Sequence, residues 1–205
     1  MADIEMITPV RAESFEQMIF DAGMLLKDFD YASATDAATL AQLIATAKGK
    51  GTSLMGATKG GVNVQSAYTF WEPEVDGKRM SFVGAKRLDN AEVKITGTLV
   101  EYSPDNLKDV LALADKTGED GKITVQPRFS IKQGDYIPSL VWVGNHGSDG
   151  IVLVELKNAL CTTGLNTQTT DKDVGTLPFE FVGHADDVSS TELPIKILFF
   201  GNAAA

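Results

Sequence analysis

The fold is constrained most by a residue period of two in the later part of the chain. Apolar and polar residues alternate along residues 92–99 and again from Lys122 onward, in the segments SLVWVG, GIVLVELK, TLPFEFVG and ELPIKILFF. Successive side chains of a β-strand point to opposite faces of a sheet, so this alternation predicts strands that bury one face. The sequence NHGSDG between SLVWVG and GIVLVELK predicts a hairpin turn.

Two segments have helical spacing instead. In the first, these apolar residues share one face: Ala37, Leu40, Ala41, Ile44 and Ala47. Thr35 is its predicted N-cap, and glycines at 49 and 51 predict its end. The second is SPDNLKDVLALAD, with Ser103 as the predicted cap and Pro104 in the first turn, where its missing N–H is tolerated. The apolar segment 15–31 is read as one or two strands interrupted at Gly23, with a helix as the alternative.

Together these patterns define the expected fold class. Two helices among roughly eight or more strands predict a mainly β, α+β protein. The expected architecture is an antiparallel β-sandwich or half-barrel with one or two flanking helices. The length of 205 residues fits a single domain, residues 1–205.

Charge and composition argue against several functions. The formal net charge is −10, which disfavours general binding to DNA or to an anionic membrane, because both require basic surface. The chain begins MADIEM, without the basic and apolar regions of a signal peptide, and has one cysteine, Cys161. No apolar run approaches the roughly 18 residues needed to span a bilayer, so no transmembrane segment is expected, and a single cysteine predicts no internal disulfide.

No motif for catalysis, a cofactor or a metal stands out. GATKGG has Lys59 between glycines, but a strand pattern follows it, where a phosphate-binding loop opens a helix. The two histidines, His146 and His184, are separated from each other and from Cys161. We therefore expect no enzyme, no cofactor and no metal site.

The segment from Tyr68 to Phe82 predicts a hairpin. It divides around EVDGKR, and Asp-Gly is a strong signal for a two-residue hairpin turn because both central residues need positive φ. Each arm is long enough for the hairpin either to remain within the sheet or to project from it.

The order of segments carries a resemblance. DYASATDAATLAQLIATAKGKGTSLMGATKGG is followed by EPEVDGKR, by KRLDNAEVKITGTLVEYSPDNLKDVLALAD, and by a second half made of strands. This order resembles the major tail protein of long-tailed bacteriophages, the subunit of the tail tube. The resemblance covers nearly the whole chain, and its most specific parts are GATKGG, EVDGKR and SPDNLK.

The resemblance implies a fold, an assembly and a location. Proteins of this family have a tail-tube-like β-sandwich with a flanking helix, form hexameric rings and stack them into a tube. Double-stranded DNA leaves the virion through that channel without specific binding. The implied partners are further copies of the chain, a tape-measure protein and tail-tip or terminator proteins. The implied location is the virion tail, after synthesis in the host cytoplasm.

The resemblance also places the contacts between subunits. Residues 1–13 are expected to form an N-terminal assembly arm, and residues 68–82 a hairpin arm. The expected assembly contacts are Lys59, Glu74, Asp76, Gly77, Lys78 and Arg79. Among them, Lys59 and Arg79 are candidate partners for acidic groups on a neighbouring copy.

Other functions remain open at this point. A tail terminator or a capsid decoration protein is also a β-rich virion component. The tube subunit of a contractile tail, a bacteriocin or a secretion system has a similar architecture. An unrelated carbohydrate- or protein-binding sandwich is a further alternative.

Overall fold

A computed structural model describes residues 11–51, 53–119 and 121–201. Within these residues the strands are β1 (Ile19–Lys27), β2 (Thr58–Trp71), β3 (Arg87–Leu99), β4 (Ala114–Glu119), β5 (Lys122–Pro127), β6 (Ile137–His146), β7 (Gly150–Cys161), β8 (Leu177–Val182) and β9 (Ile195–Phe200). The α-helices are α1 (Ala37–Lys50) and α2 (Pro104–Leu111). The predicted mainly β, α+β class is confirmed.

The strands form one curled antiparallel sheet and one small sheet. The large sheet has the order β1-β6-β7-β8-β3-β2, and β4 pairs only with β5. Strand β7 is shared: residues 151–156 pair with β9, whereas Leu160 and Cys161 pair with β8. Because two strands occupy successive parts of one edge, the sheet curls at β7 into the predicted half-barrel.

The inner face of the curl holds the larger core. Its buried side chains come from β1, β3, β6, β7, β8 and α2 and include Ile95, Leu140, Leu156, Phe181 and Val110. The predicted alternation of β3 is confirmed, since Val93, Ile95 and Leu99 are buried. Phe181, fully buried, is the largest of the fully buried side chains.

Helix α1 covers the outer face of the sheet. Its buried residues Leu40 and Ala47 pack in a second cluster with Leu26, Val141 and Leu153. Neighbouring residues of β6 therefore serve opposite faces, with Leu140 in the inner core and Val141 under α1. The flanking helix expected from the sequence is thus present.

The start of α1 differs from the prediction by one residue. Asp36, not Thr35, is the N-cap, and its carboxylate accepts a hydrogen bond from the backbone N of Thr39 at 2.8 Å. The Thr39 hydroxyl lies 3.1 Å from the backbone N of Asp36 and completes a reciprocal capping pair. The predicted end at Gly51 is confirmed, with φ of 67°.

The second helix is shorter than predicted. Its cap is confirmed, because the Ser103 hydroxyl accepts from the backbone N of Asn106 at 3.1 Å. The helix ends at Leu111, however, and Ala112 has φ of 56°. Ala114, which lies within the predicted helical segment SPDNLKDVLALAD, is buried as the first residue of β4. Strand β5 ends at Pro127, so the alternation that begins at Lys122 does not extend as a strand through Phe129 and Ile131.

Two side chains of α2, Asp109 and Asn106, anchor it to β1 and to the loops beside β2 and β3. Lys27 Nζ of β1 lies 2.6 Å from Asp109 Oδ2, and both side chains are largely buried. The Asn106 side-chain amide donates to the backbone oxygens of Met55 at 2.8 Å and Glu101 at 3.1 Å. Burial raises the pKa of Asp109, while the hydrogen bond and charge of Lys27 lower it.

Two sequence expectations concern the chain ends and membranes. The predicted arm at residues 1–13 lies mostly outside the described residues, which begin at Arg11, just before a 3-10 helix at Ala12–Gln17. Among the helices the structure describes, none combines the length and apolarity needed to cross a bilayer.

Candidate assembly surface

Strands β2 and β3 extend beyond the rest of the sheet. Residues 94–99 of β3 pair with β8, whereas its earlier residues pair with β2 alone. Residues 66–71 of β2 and 87–92 of β3 therefore form a two-stranded antiparallel ribbon, called the ribbon below. Of these residues only Ala91 is not classed as exposed. An isolated two-stranded ribbon is only marginally stable in water, but this one continues from the part of β3 that β8 also supports.

One face of the ribbon continues the core face of the sheet. Val64 lies opposite Ile95, and Ser66 lies opposite buried Val93. Alternate residues of a strand share a face, so Tyr68 and Phe70 point the same way as the core residues.

Phe70 lies directly opposite Leu88, because Asp89 is an extra residue in β3 at this point. The apolar face of the ribbon is defined here as Tyr68, Phe70 and Leu88. These side chains are 48%, 56% and 55% exposed. The Tyr68 and Phe70 rings stack with centroids 6.4 Å apart. The core pattern thus continues onto a surface that the chain itself leaves uncovered.

The ribbon ends in a loop with its own internal structure. Residues 72–86, the tip loop, join β2 to β3. The loop and Trp71 surround a cavity of about 610 Å³, whose lining includes Pro73, Met80 and Phe82. Ala85 is buried although its neighbours are exposed. The tip loop is therefore folded on itself.

Glu72 organises the tip loop. Its carboxylate accepts hydrogen bonds from Lys78 and, at 2.8 Å, from the Ser81 hydroxyl. These bonds, Lys78 first, hold the pKa of Glu72 below its usual range. Lys78 Nζ also lies 5.8 Å from the centroid of the Phe82 ring, a cation–π distance.

The predicted hairpin at Tyr68–Phe82 has the wrong strand bounds. Its first arm is the end of β2, but the partner strand begins only at Arg87, which pairs with Trp71. Gly77 has a positive φ of 84°, but Asp76 does not have positive φ. Since the backbone N of Lys78 donates to the oxygen of Val75 at 3.1 Å, this is a type II turn. A two-residue hairpin turn of type I′ requires positive φ at both central positions.

The structure brings together most, but not all, of the predicted contact residues. Glu74, Asp76, Gly77 and Arg79 lie exposed in the tip loop. Lys78 is half-buried and engaged by Glu72. Among the described residues Arg79 forms no ion pair.

Lys59 lies at the opposite end of β2 from the tip loop. It is separated from Trp71 by roughly 40 Å of strand, at about 3.3 Å per residue. Its ammonium group lies 2.7 Å from Asp173 Oδ2 and lowers the pKa of that carboxyl. Lys59 therefore has an acidic partner within its own chain.

A second uncovered surface is the open side of the half-barrel. A groove of about 800 Å³ lies between the start of β2 and the strands β1 and β9, with inner-face residues of β6 and β7 lining it. Its lining residues are mostly apolar: Ile19, Val62, Val64, Trp142, Val152, Val154, Ile197 and Phe199. Ile19, Ile197 and Phe199 are each more than half exposed. We call this feature the groove.

The rim of the groove carries one charge and two adjacent glycines. Asp21 is the only ionisable residue among the described residues that line it. Its carboxylate accepts a hydrogen bond from the Asn145 side chain at 2.8 Å. Gly60 and Gly61, from the GATKGG motif, have φ of 83° and 79°, and a Cβ on either would contact nothing within 4 Å. These glycines leave the backbone open to close approach.

A third exposed feature is the segment after β5. Arg128 donates to both carboxylate oxygens of Asp135, and its Nε lies 3.2 Å from Asp115. The Asp135 bond is the main cause that raises the pKa of Arg128. The next residue, Phe129, is fully exposed. The ion pairs fix this loop against β4.

Comparison with known proteins adds no identification. The chain matches none of the known protein families with which it was compared. No match to a curated protein sequence was found either.

Sequence reasoning missed the residues that define both uncovered surfaces. The predicted contact residues came mainly from the charged segment EVDGKR and did not include Phe70 or Leu88. The sequence did hold a signal for Phe70. Val62, Val64, Tyr68 and Phe70 all lie at even positions of one segment, as expected for apolar residues on one face of a strand. The groove had no comparable signal, because its lining comes from strands far apart in the chain.

Proposed function

We propose that this chain is a structural virion protein, the subunit of a bacteriophage tail tube. Copies of it polymerise as stacked hexameric rings and form the channel for DNA ejection. The observation that carries the proposal is the ribbon, whose apolar face continues the core and is left uncovered by its own chain. The order of GATKGG, EVDGKR and SPDNLK supports it through the resemblance to major tail proteins.

The sheet edges favour assembly over an isolated monomer. Strand β2 is the last strand of the large sheet, so among the described strands none forms ladder hydrogen bonds with its second edge. Exposed edges present unpaired backbone groups, and closed assemblies use them up. An uncovered protrusion and an uncovered groove on one chain suit repeated contacts between identical copies.

The charge of the chain suits a channel for DNA. A surface with a formal net charge of −10 offers few cations to displace the counterions of DNA. DNA would then pass through the lumen without specific binding. This role needs neither a cofactor nor catalytic chemistry.

The proposed role also assigns partners and a location. The chain would contact copies of itself within and between rings, a tape-measure protein, and tail-tip or terminator proteins at the ends of the tube. Its location would be the virion tail. A tail terminator or a capsid decoration protein would not elongate, whereas the tube subunit of a contractile tail, bacteriocin or secretion system would.

The proposal is tested by comparing the full chain with a variant in which residues 73–80 are replaced by a minimal turn. Light scattering after size fractionation and negative-stain electron microscopy measure assembly. Hollow tubes or hexameric rings are expected from the full chain, and a folded monomer from the variant. Normal tubes from the variant would overturn the role of the tip loop. A discrete oligomer that never elongates would favour a terminator or decoration protein.

A further inference from the structure

We propose that the cavity of the tip loop binds a small aromatic carboxylate. This inference goes beyond the proposed function and does not rest on it, because it assigns a ligand site within a single chain. The cavity has a volume of about 610 Å³, which lies within the range of small-molecule pockets. Like most such pockets, it has mainly apolar walls and a few charged side chains.

The walls of the cavity suit an aromatic ring. Trp71, Met80 and Phe82 line it, and each of these side chains is more than half exposed. None of the three belongs to the two core clusters of the chain. Indole and phenyl groups attract a further ring by stacking or edge-to-face contact, and a methionine sulfur also packs well against aromatic groups. The apolar surface of these side chains is therefore available to a ligand.

The position of the cavity follows from the strand register. Trp71 lies directly opposite Arg87, so the two side chains share one face of the ribbon. Both residues line the cavity. Phe70 and Leu88 are their neighbours along the two strands and therefore point to the other face. The cavity is thus separate from the apolar face of the ribbon.

Two arginines place positive charge at the cavity. Arg79 and Arg87 both line it, and among the described residues neither forms an ion pair. A guanidinium group presents paired N–H donors that match the two oxygens of a carboxylate. Because Arg87 shares its face of the ribbon with Trp71, a ligand can contact the indole ring and this cation together.

The remaining charges leave the cavity net positive. Lys78 also lines it, but its ammonium group already donates to Glu72. Asp76 is the only carboxylate among the described lining residues, and the two arginines outnumber it. Residues 78–87 carry four cations and no carboxylate, in a chain with a formal net charge of −10. An anion is therefore favoured at this cavity over the rest of the surface.

The groove provides an internal comparison. It also has apolar walls, but Asp21 is the only ionisable residue that its described lining contains. An uncharged apolar ligand can enter either cavity, whereas the charge of Asp21 disfavours a carboxylate in the groove. Preference for the anion therefore distinguishes the tip-loop cavity from binding to apolar surface in general.

Binding can be measured with cinnamate, an aromatic carboxylate, and with cinnamamide, which has nearly the same shape but no charge. Saturation-transfer NMR of the ligand and isothermal titration calorimetry are carried out on the full chain. We expect cinnamate to bind with a Kd on the order of 1 mM, as is usual for a ligand of this size. Cinnamamide should bind about three- to tenfold more weakly, because it lacks the charge-assisted contact with the arginines.

Matched variants locate the site. Arg87→Gln removes a charge from the cavity, whereas Lys86→Gln removes the same charge from the preceding residue, which does not line it. Arg87→Gln should weaken cinnamate binding about three- to tenfold and leave cinnamamide binding unchanged, while Lys86→Gln should change neither. Trp71→Ala should weaken the binding of both ligands. Phe199→Ala, which removes an exposed ring from the groove, should leave both unchanged.

Cinnamate binding that depends on both Arg87 and Trp71 supports the inference. Equal binding of the two ligands, or equal loss in Arg87→Gln and Lys86→Gln, would show that the cavity has no specific anion site and would overturn it. Loss in Phe199→Ala with normal binding in Trp71→Ala would place the ligand in the groove and would also overturn it. So would the absence of saturation transfer at about 10 mM, roughly ten times the expected Kd. Each of these outcomes leaves the tube proposal standing, because assembly is measured separately.

Discussion

Phe70 lies directly opposite Leu88 across the β2–β3 ribbon, on the face that buries Val93 further along the same strands. The core pattern of the sheet therefore does not stop where the chain's own core stops. Its continuation is half exposed, and under the proposed function a neighbouring copy covers it. This relationship connects the fold to the proposed assembly.

The apolar face can be tested with one substitution on each face of the ribbon. Phe70→Lys places a charge on the apolar face and should abolish assembly, because the ammonium group would be desolvated at the contact. Thr69→Lys introduces the same residue on the other face and should assemble normally. Because both sites are exposed, the free energy of unfolding of each variant should lie within about 0.5 kcal/mol of the wild-type value. Equal assembly by both variants in light scattering would contradict the assignment.

The Lys78–Glu72 pair should control order in the tip loop. Lys78→Ala removes a hydrogen bond to Glu72 and the contact with Phe82, so amide exchange across residues 72–86 should accelerate. Arg79→Ala, next along the loop, should leave exchange unchanged. Protection similar to wild type in Lys78→Ala would show that the loop is held by other contacts.

The same pair has a pH dependence. The folded pKa of Glu72 is lowered, so its stabilising contribution is present above the ordinary value of 4.5 and is lost as pH falls through the lowered one. In the wild type, the backbone amide chemical shifts around Lys78 should change with pH at this transition. In Glu72→Gln the same shifts should not show it.

Asn106 should be important for stability although it lies on a short surface helix. Asn106→Ala leaves the buried carbonyl of Met55 without its donor and removes a hydrogen bond to the carbonyl of Glu101, which should lower the free energy of unfolding by about 1–3 kcal/mol. Asn63→Ala, at an exposed position of β2, is the matched control and should change it by less than about 0.5 kcal/mol. Urea unfolding measures both, and an equal effect would contradict the anchoring role.

Breaking the Lys27–Asp109 pair should lower the free energy of unfolding by an amount that depends on pH. Lys27→Met should lower the free energy of unfolding by about 1–3 kcal/mol at neutral pH, because a buried carboxylate loses its charged donor. Lys116→Met, which breaks the exposed pair with Asp105, should cost less than about 1 kcal/mol.

The direction of this pH dependence follows from the raised pKa of Asp109. The folded carboxyl binds a proton more readily than the unfolded one, so stability falls as pH rises through the raised pKa. Without Lys27 that pKa rises further, and the deficit of Lys27→Met should shrink as pH falls through it. A deficit that stays constant or grows on acidification, in urea titrations at several pH values, would contradict this account.

Local patterns predicted much of the fold because they report which side of an element is buried. The alternation in β3 and in β6–β9 and the spacing in α1 were sufficient for the class and the flanking helix. The capping residue of α1 and the end of α2 depended on single backbone angles, at Asp36 and Ala112, which periodicity does not encode. Strand β4 was missed because ADKTGE is polar and is stabilised as a strand by pairing with β5.

The candidate site was harder to predict from the sequence. The Asp-Gly turn was recognisable, but its type depended on φ of Asp76. The strand that follows begins only at Arg87, so the connection between the two strands is longer than the predicted two-residue turn. The charges of the loop drew attention to Lys78, which is engaged by Glu72. The groove depends on how the sheet curls at β7, a long-range property that no short segment records.

The most direct test of the central claim is electron microscopy of the purified full chain, with rotational averaging of the particles viewed end-on. The account predicts hollow hexameric rings or tubes with an open central channel. A chain that remains monomeric at every concentration, or that closes into a compact dimer without a channel, would contradict it.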